Sequence, residues 1–124
     1  MEFNENTKPI YLQIADRICD QVTSGTYPPG ERIPSVRALA AEMQVNFNTV
    51  MRSFEYLASR NIITNKRGVG YFITPDAIAN IEIERKATFY NDELKYFFSR
   101  LDGMGVSPAD LEKMYTNYLN DNRQ

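Results

Sequence analysis

Arg37, Asn46, Asn48, Thr49 and Arg52 lie close together in the sequence, and Lys66, Arg67 and Gly68 follow a short way on. Guanidinium and ammonium groups neutralise phosphates, and hydroxyls and amides hydrogen-bond to phosphates or base edges. An asparagine amide can bond adenine through two parallel hydrogen bonds. A glycine beside an arginine lets the backbone approach a partner closely, and arginine favours a narrow minor groove. These residue types suit the gripping of a nucleic-acid duplex rather than the transformation of a substrate. Nothing else in the chain suggests catalysis. It has no histidine, the commonest general base and metal ligand. Cys19 is the single cysteine and sits at helical spacing with Ile18 and Val22, the setting of a small buried hydrophobe. Glu82 and Glu84 fall on roughly opposite sides of a helix and form no carboxylate pair. The expectation is a non-enzyme that needs neither metal nor cofactor.

The chain has 124 residues, 43% hydrophobic and 24% charged, which suits one soluble domain or one domain with an appendage. No apolar run approaches the roughly 20 residues that span a bilayer. The polar start, Met1 to Asn6, does not read as a secretory leader, and the lone cysteine fits a reducing compartment. The expected location is cytoplasmic, with no membrane contact. A net charge of −2 taken alone argues against a nucleic-acid partner, but the placement of charge matters more. Residues 1–75 hold eight Lys/Arg against seven Asp/Glu, and residues 76–124 hold six against nine. The acidic surplus lies in the tail, and Arg37, Arg52, Lys66 and Arg67 fall on elements able to share one face.

Those elements follow from periodicity. Ile10, Ile14, Ile18 and Val22 form an apolar stripe that predicts a helix over 9–24, with Pro9 in its first turn, Thr7 or Lys8 as cap, and Gly25 closing it. Tyr27-Pro28-Pro29-Gly30 reads as a turn, and residues 31–33 as a short extended segment. Ser35 caps a second helix whose apolar face is Val36, Leu39, Ala40 and Met43. Gln44 occupies the turn, and Asn46 caps a third helix carrying Val50, Phe54, Leu57 and Ala58. Asn61 is read as its left-handed terminus. Residues 62–66 and 71–74 form a hairpin around Arg67-Gly68-Val69-Gly70. Thr74-Pro75-Asp76 opens a further helix, Gly103-Met104-Gly105 breaks it, and Ser107-Pro108 starts the last one. The fold class is mainly α with a small β-hairpin: a winged helix-turn-helix over 1–75 and a two-helix tail over 76–124.

Several separate blocks of this sequence resemble the GntR family of bacterial transcription regulators. They are Pro9-Ile10-Tyr11-Leu12-Gln13-Ile14, the run from Tyr27 through Ala40, Asn46-Phe47-Asn48-Thr49-Val50 and Gly68-Val69-Gly70-Tyr71-Phe72-Ile73. The short helical tail is similar to that of the YtrA-type branch. The resemblance implies a DNA-binding regulator in which Arg37 touches DNA directly, the wing at Lys66, Arg67 and Gly68 reaches the duplex, and the tail pairs two subunits. Repression, often of a transporter operon, is the output it implies. Gln44 and Asn61 stand where the family often has glycine, Phe47 where many members have arginine or proline, and Met51 where an arginine often reads bases.

The residues admit plainer roles as well. Arg37 can pair with Glu31 or Glu42, Asn46 can serve only as a cap, and Arg52 can be a solvated charge. Asn48 is the candidate for a base contact and Thr49 for phosphate or sugar. Phe47 packs on a thymine methyl or staples its helix to a neighbour, and the sequence leaves both open. The tail aromatics Tyr90, Tyr96, Phe97, Phe98, Tyr115 and Tyr118 read as a dimer face rather than a ligand pocket, and no pattern identifies a small-molecule effector. The expectation is a homodimer on double-stranded DNA with an inverted-repeat operator. The alternative is a winged-helix protein-interaction module.

Overall fold

The computed structural model describes residues 8–123. Thr7 and the polar start of the chain lie outside the described residues. In chain order the elements are α1 (Ile10–Thr23), α2 (Val36–Met43), α3 (Phe47–Ser59), β1 (Ile63–Lys66), β2 (Gly70–Ile73), α4 (Ala77–Phe89), a π-helical turn (Tyr90–Leu94), α5 (Lys95–Gly103) and α6 (Pro108–Asn122). The chain divides into two compact units, one ending at Glu84 and the other beginning at Arg85.

The first unit is the winged helix-turn-helix. α1 buries Ile14, Ala15, Ile18, Cys19 and Val22, and α3 buries Val50, Phe54 and Leu57, so each apolar stripe faces the same core. Phe54 is wholly enclosed and meets the Tyr71 ring edge to face, with 4.9 Å between centroids. The two strands pair antiparallel in the register Ile63↔Ile73 and Lys66↔Gly70. A two-stranded ribbon is marginal alone, and here it is covered on one edge. Glu31 and Ile73 are joined by Ile73 N donating to Glu31 O at 2.9 Å, and Ile33 N donates to Tyr71 O at 3.0 Å. The extended segment expected at 31–33 therefore pairs with β2 through an isolated antiparallel bridge between Arg32 and Phe72.

Four local readings need adjustment. Pro9 is the N-cap of α1 rather than its first helical residue, because its ψ of 148° is extended. Ser24 is the C-cap of α1, and Gly25 follows in the left-handed region at φ 89°. Thr74 does not cap α4. Its hydroxyl donates instead to Asn61 O at 2.7 Å, the carbonyl that also accepts from Asn80 Nδ2 at 2.9 Å. α4 consequently starts at Ala77, and Ala77 and Ile81 belong to the first unit's core. The compact unit thus runs past residue 75, where the sequence put the boundary. Gln44 keeps the left-handed conformation of the turn, at φ 57° and ψ 46°, without being glycine.

In the second unit the long helix expected after residue 76 contains a π turn at Tyr90–Leu94. An i→i+5 turn accommodates one extra residue. Residues eight apart across it are then offset as residues seven apart are in an α-helix, about 20°. That aligns Phe89 with Phe97 and Tyr90 with Phe98 along one stripe. α5 closes with Val106 N donating to Leu101 O at 3.0 Å. α6 opens with a capping box between Ser107 and Asp110 and with Pro108 in its first turn. No described helix is long and apolar enough to cross a membrane.

Candidate nucleic-acid interface

Arg37 stands in the first turn of α2, set there by Ser35, whose hydroxyl accepts from Ala38 N at 3.1 Å. Among the described residues the Arg37 guanidinium pairs with neither Glu31 nor Glu42. Glu42 lies instead near Tyr27, whose phenol is pushed above its ordinary pKa by burial and then by the Glu42 charge. The Arg37 guanidinium carbon lies 6.0 Å from the centroid of the Phe47 ring. The starts of α2 and α3 therefore meet through one cation and one aromatic ring.

Asn46 is the N-cap of α3, its Oδ1 accepting from Asn48 N at 2.7 Å. The capping role is real and leaves the Asn46 amide NH2 outside that bond. Phe47 and Asn48 are exposed beside it and Thr49 is half-buried. Ser53, the one buried polar side chain among the described residues, shares its hydroxyl between Tyr11 O at 2.7 Å and Thr49 O at 3.1 Å. This links α3 to α1 and fixes the angle at which the α3 start is presented. The sequence reading missed Ser53, because only packing distinguishes a serine facing another helix from one facing water.

Arg52 turns toward α1. Its guanidinium lies 4.0 Å from the centroid of the Tyr11 ring, close enough for a cation–π contact. Tyr11 in turn meets Tyr56 edge to face at 6.4 Å, and the Arg60 guanidinium lies 4.7 Å from the Tyr56 ring. Glu84 on α4 completes the file. It accepts from the Tyr56 hydroxyl at 2.6 Å and from Arg60 Nε at 3.0 Å. Burial, then the hydrogen bond to the Glu84 carboxylate, pushes the Tyr56 phenol up to about 12. The same carboxylate holds Arg60 above its ordinary value. Arg52 is thus held by α1 and Arg37 by α3, so the two cations expected to share a face are anchored to different elements.

The wing tip, Arg67-Gly68-Val69, is exposed, and Val69 N donates to Lys66 O at 2.8 Å, closing a β-turn whose third residue, Gly68, takes the positive φ of 79° that suits glycine. Lys66 Nζ lies 4.1 Å from the Phe72 ring centroid, which ties its stem to the ribbon. Gly70 has φ 140°, and a Cβ there would come within 2.8 Å of Arg32 Nε. Arg32 is therefore laid along the base of the wing, a cation the sequence reading did not include. Its position next to the Pro-Gly loop was the available signal, but the pairing of that loop with β2 is a tertiary fact.

This arrangement of helices and wing has known relatives. The family model described as bacterial regulatory proteins, gntR family, matches residues 10–73. The chain belongs to the GntR family. The HTH-type transcriptional regulator YhcF of Bacillus subtilis is 33% identical over 107 residues, covering 86% of this chain and 87% of the relative. The HTH-type transcriptional repressor YtrA of the same organism is 33% identical over 110 residues, covering 89% and 82%. A crystal structure of a GntR-family regulator from Bacteroides thetaiotaomicron is 47% identical, with a TM-score of 0.77, over 91% of this chain and 98% of that one. Members of the GntR family are DNA-binding transcription regulators and not enzymes. The family match spans α1 to β2, so it includes Arg32, Arg37, Asn46, Asn48, Arg52, Lys66, Arg67 and Gly68.

Proposed function

We propose that this GntR-family chain acts as a homodimer that binds an inverted-repeat operator and represses transcription. The first unit grips double-stranded DNA, and the tail, read from the sequence as residues 76–124, pairs the protomers. The observation that carries this reading is the pair of helix starts. Arg37 has no acidic partner among the described residues, and Phe47 and Asn48 stand exposed beside it. A recognition helix directs its first turn at base edges, and its free N–H groups favour phosphate. Arg67 at an exposed hairpin tip suits the minor groove. Pairing is supported by the tail, where Phe89, Tyr90, Phe97, Phe98, Tyr115 and Tyr118 are all exposed, an apolar surface of the kind that marks a partner contact. Repression and a transporter operon as target rest on the likeness to the YtrA-type branch.

A salt-dependent gel shift on the region upstream of the protein's own gene tests the reading. Arg37→Ala and Arg67→Ala should each weaken binding by about ten-fold, with melting temperature unchanged and the salt slope reduced by about one. Unchanged affinity in both variants removes the assigned face. No binding even at low salt favours a protein-interaction module instead.

A further inference from the structure

Between the starts of α2 and α3 lies a shallow hollow of about 340 Å³, lined by Arg37, Ala40, Ala41, Val45 and Phe47. We propose that this hollow receives the 5-methyl group of one thymine in each operator half-site, with the Phe47 ring as its contact surface, which makes Phe47 a specificity-determining residue. The inference rests on the DNA-binding reading above and deepens it.

Phe47 is not held there by the core. It is the first residue of α3 and is 45% exposed. A hydrophobic staple joins the residue before the N-cap to the fourth helical residue, and those positions are Val45 and Val50. Val50 is fully buried and Val45 packs against the core, so the apolar anchor of this helix start is already supplied. The stapling role open to Phe47 from sequence is therefore taken, and its ring remains an apolar surface facing outward.

The side chains of the lining favour one occupant. Ala40, Ala41, Val45 and Phe47 offer alkyl and ring carbon but no side-chain donor or acceptor, and Arg37 supplies a single cation. Among the groups that base edges present in the major groove, the thymine C5-methyl is the apolar one that projects toward a protein surface. Adenine or cytosine set against the Phe47 ring would lose hydration without a partner for the exocyclic amino group, whereas a methyl group gains from leaving water. Arg37 can donate to guanine N7 and O6, and the deoxyuridine replacement below separates that contact from the methyl one. Asn48, the next residue along the helix, retains a polar side chain for a neighbouring base. The cation beside the ring suits the phosphate backbone flanking the same base.

The test uses the full-length chain. A half-site is first obtained by selecting bound duplexes from a random library. Each thymine in it is then replaced by deoxyuridine, which removes only the methyl group. One thymine per half-site should respond, with affinity falling about four-fold, the worth of one buried methyl. 5-Methylcytosine at that place should bind better than cytosine. In Phe47→Ala, melting temperature and salt slope should stay as in the wild type while the thymine and deoxyuridine operators bind equally. Deoxyuridine tolerated at every position by the wild-type chain overturns the proposal, as does a thymine preference that survives Phe47→Ala. Either result leaves DNA binding intact. Failure of the selection to yield any sequence overturns both this proposal and the reading beneath it.

Discussion

Residues 8–84 and residues 85–123 each carry seven aromatic side chains, yet treat them in opposite ways. In the first unit Tyr11, Tyr27, Phe54, Tyr56, Tyr71 and Phe72 are buried or half-buried, and Phe47 alone is exposed. In the second unit all seven are exposed, and Leu101 is its one buried residue. The difference is one of geometry. Three helices and a ribbon surround a common centre, so each apolar stripe meets another. A short helical tail offers each stripe little more than a single neighbour, and small units bury a smaller share of their surface. An exposed ring therefore means different things in the two places. Against the well-filled first unit, Phe47 stands out as a single exposed ring, the basis of the DNA contact proposed above. In the tail all seven rings are exposed, which supports the proposed pairing of two chains.

The sharpest way to break this comparison is to truncate one ring from each unit. Phe54→Ala should lower the stability of the folded chain by about 3–5 kcal/mol, as for other enclosed rings. Chemical denaturation of Phe97→Ala should show less than about 1 kcal/mol of change within the protomer, while light scattering shows a weakened dimer. Equal losses in the two variants would mean that the tail is already a packed core. Ending the chain after Glu84 is the next test, since Ala77 and Ile81 are needed inside the first unit. The shortened protein should fold, run as a monomer and bind its operator on the order of 100-fold more weakly, because the two half-sites are no longer linked. A truncated dimer with full affinity would put the pairing surface in the wing unit.

Smaller effects sharpen the account of the first unit alone. Gln44→Gly should raise stability by about 1 kcal/mol in a melting experiment, since glycine adopts the left-handed turn without the penalty borne by a side chain. The smallest effect concerns pH. The Tyr56 phenol is held at about 12, above an ordinary value near 10. Its contribution to stability is complete below the ordinary value and declines as pH rises from there through about 12. A titration followed by phenolate absorbance should show tyrosines that ionise late, the last of them absent in Tyr56→Phe and shifted down in Glu84→Gln. A titration in which all tyrosines ionise together would dissolve the link from α3 to α4.

Much of the fold was legible because the local signals agree with the global packing. The every-fourth-residue repeat from Ile10 to Val22 gave α1, Ser35 and Asn46 gave the starts of α2 and α3, and Ser107 with Asp110 gave the start of α6. Readings slipped where a polar side chain had two possible partners. Thr74 has the look of a cap, but the Asn61 carbonyl lies within its reach in the folded chain. The π turn at Tyr90–Leu94 carries no residue that announces it. Among the candidate site residues, Arg37, Asn46 and Gly68 could be placed from motif and cap chemistry. Arg32 and Ser53 could not, since their partners are distant in sequence.

The order of amino acids by itself determined the helices, the hairpin, the absence of histidine and the family to which the chain belongs. These depend on periodicity, turn residues and motif spacing, all of which are local. Which cation meets which ring was decided only by tertiary structure. Arg37 reaches Phe47, Arg52 rests on Tyr11, and Arg60 spans Tyr56 and Glu84. A long flexible side chain has many staggered conformers of similar energy, and only the neighbours brought up by folding select one.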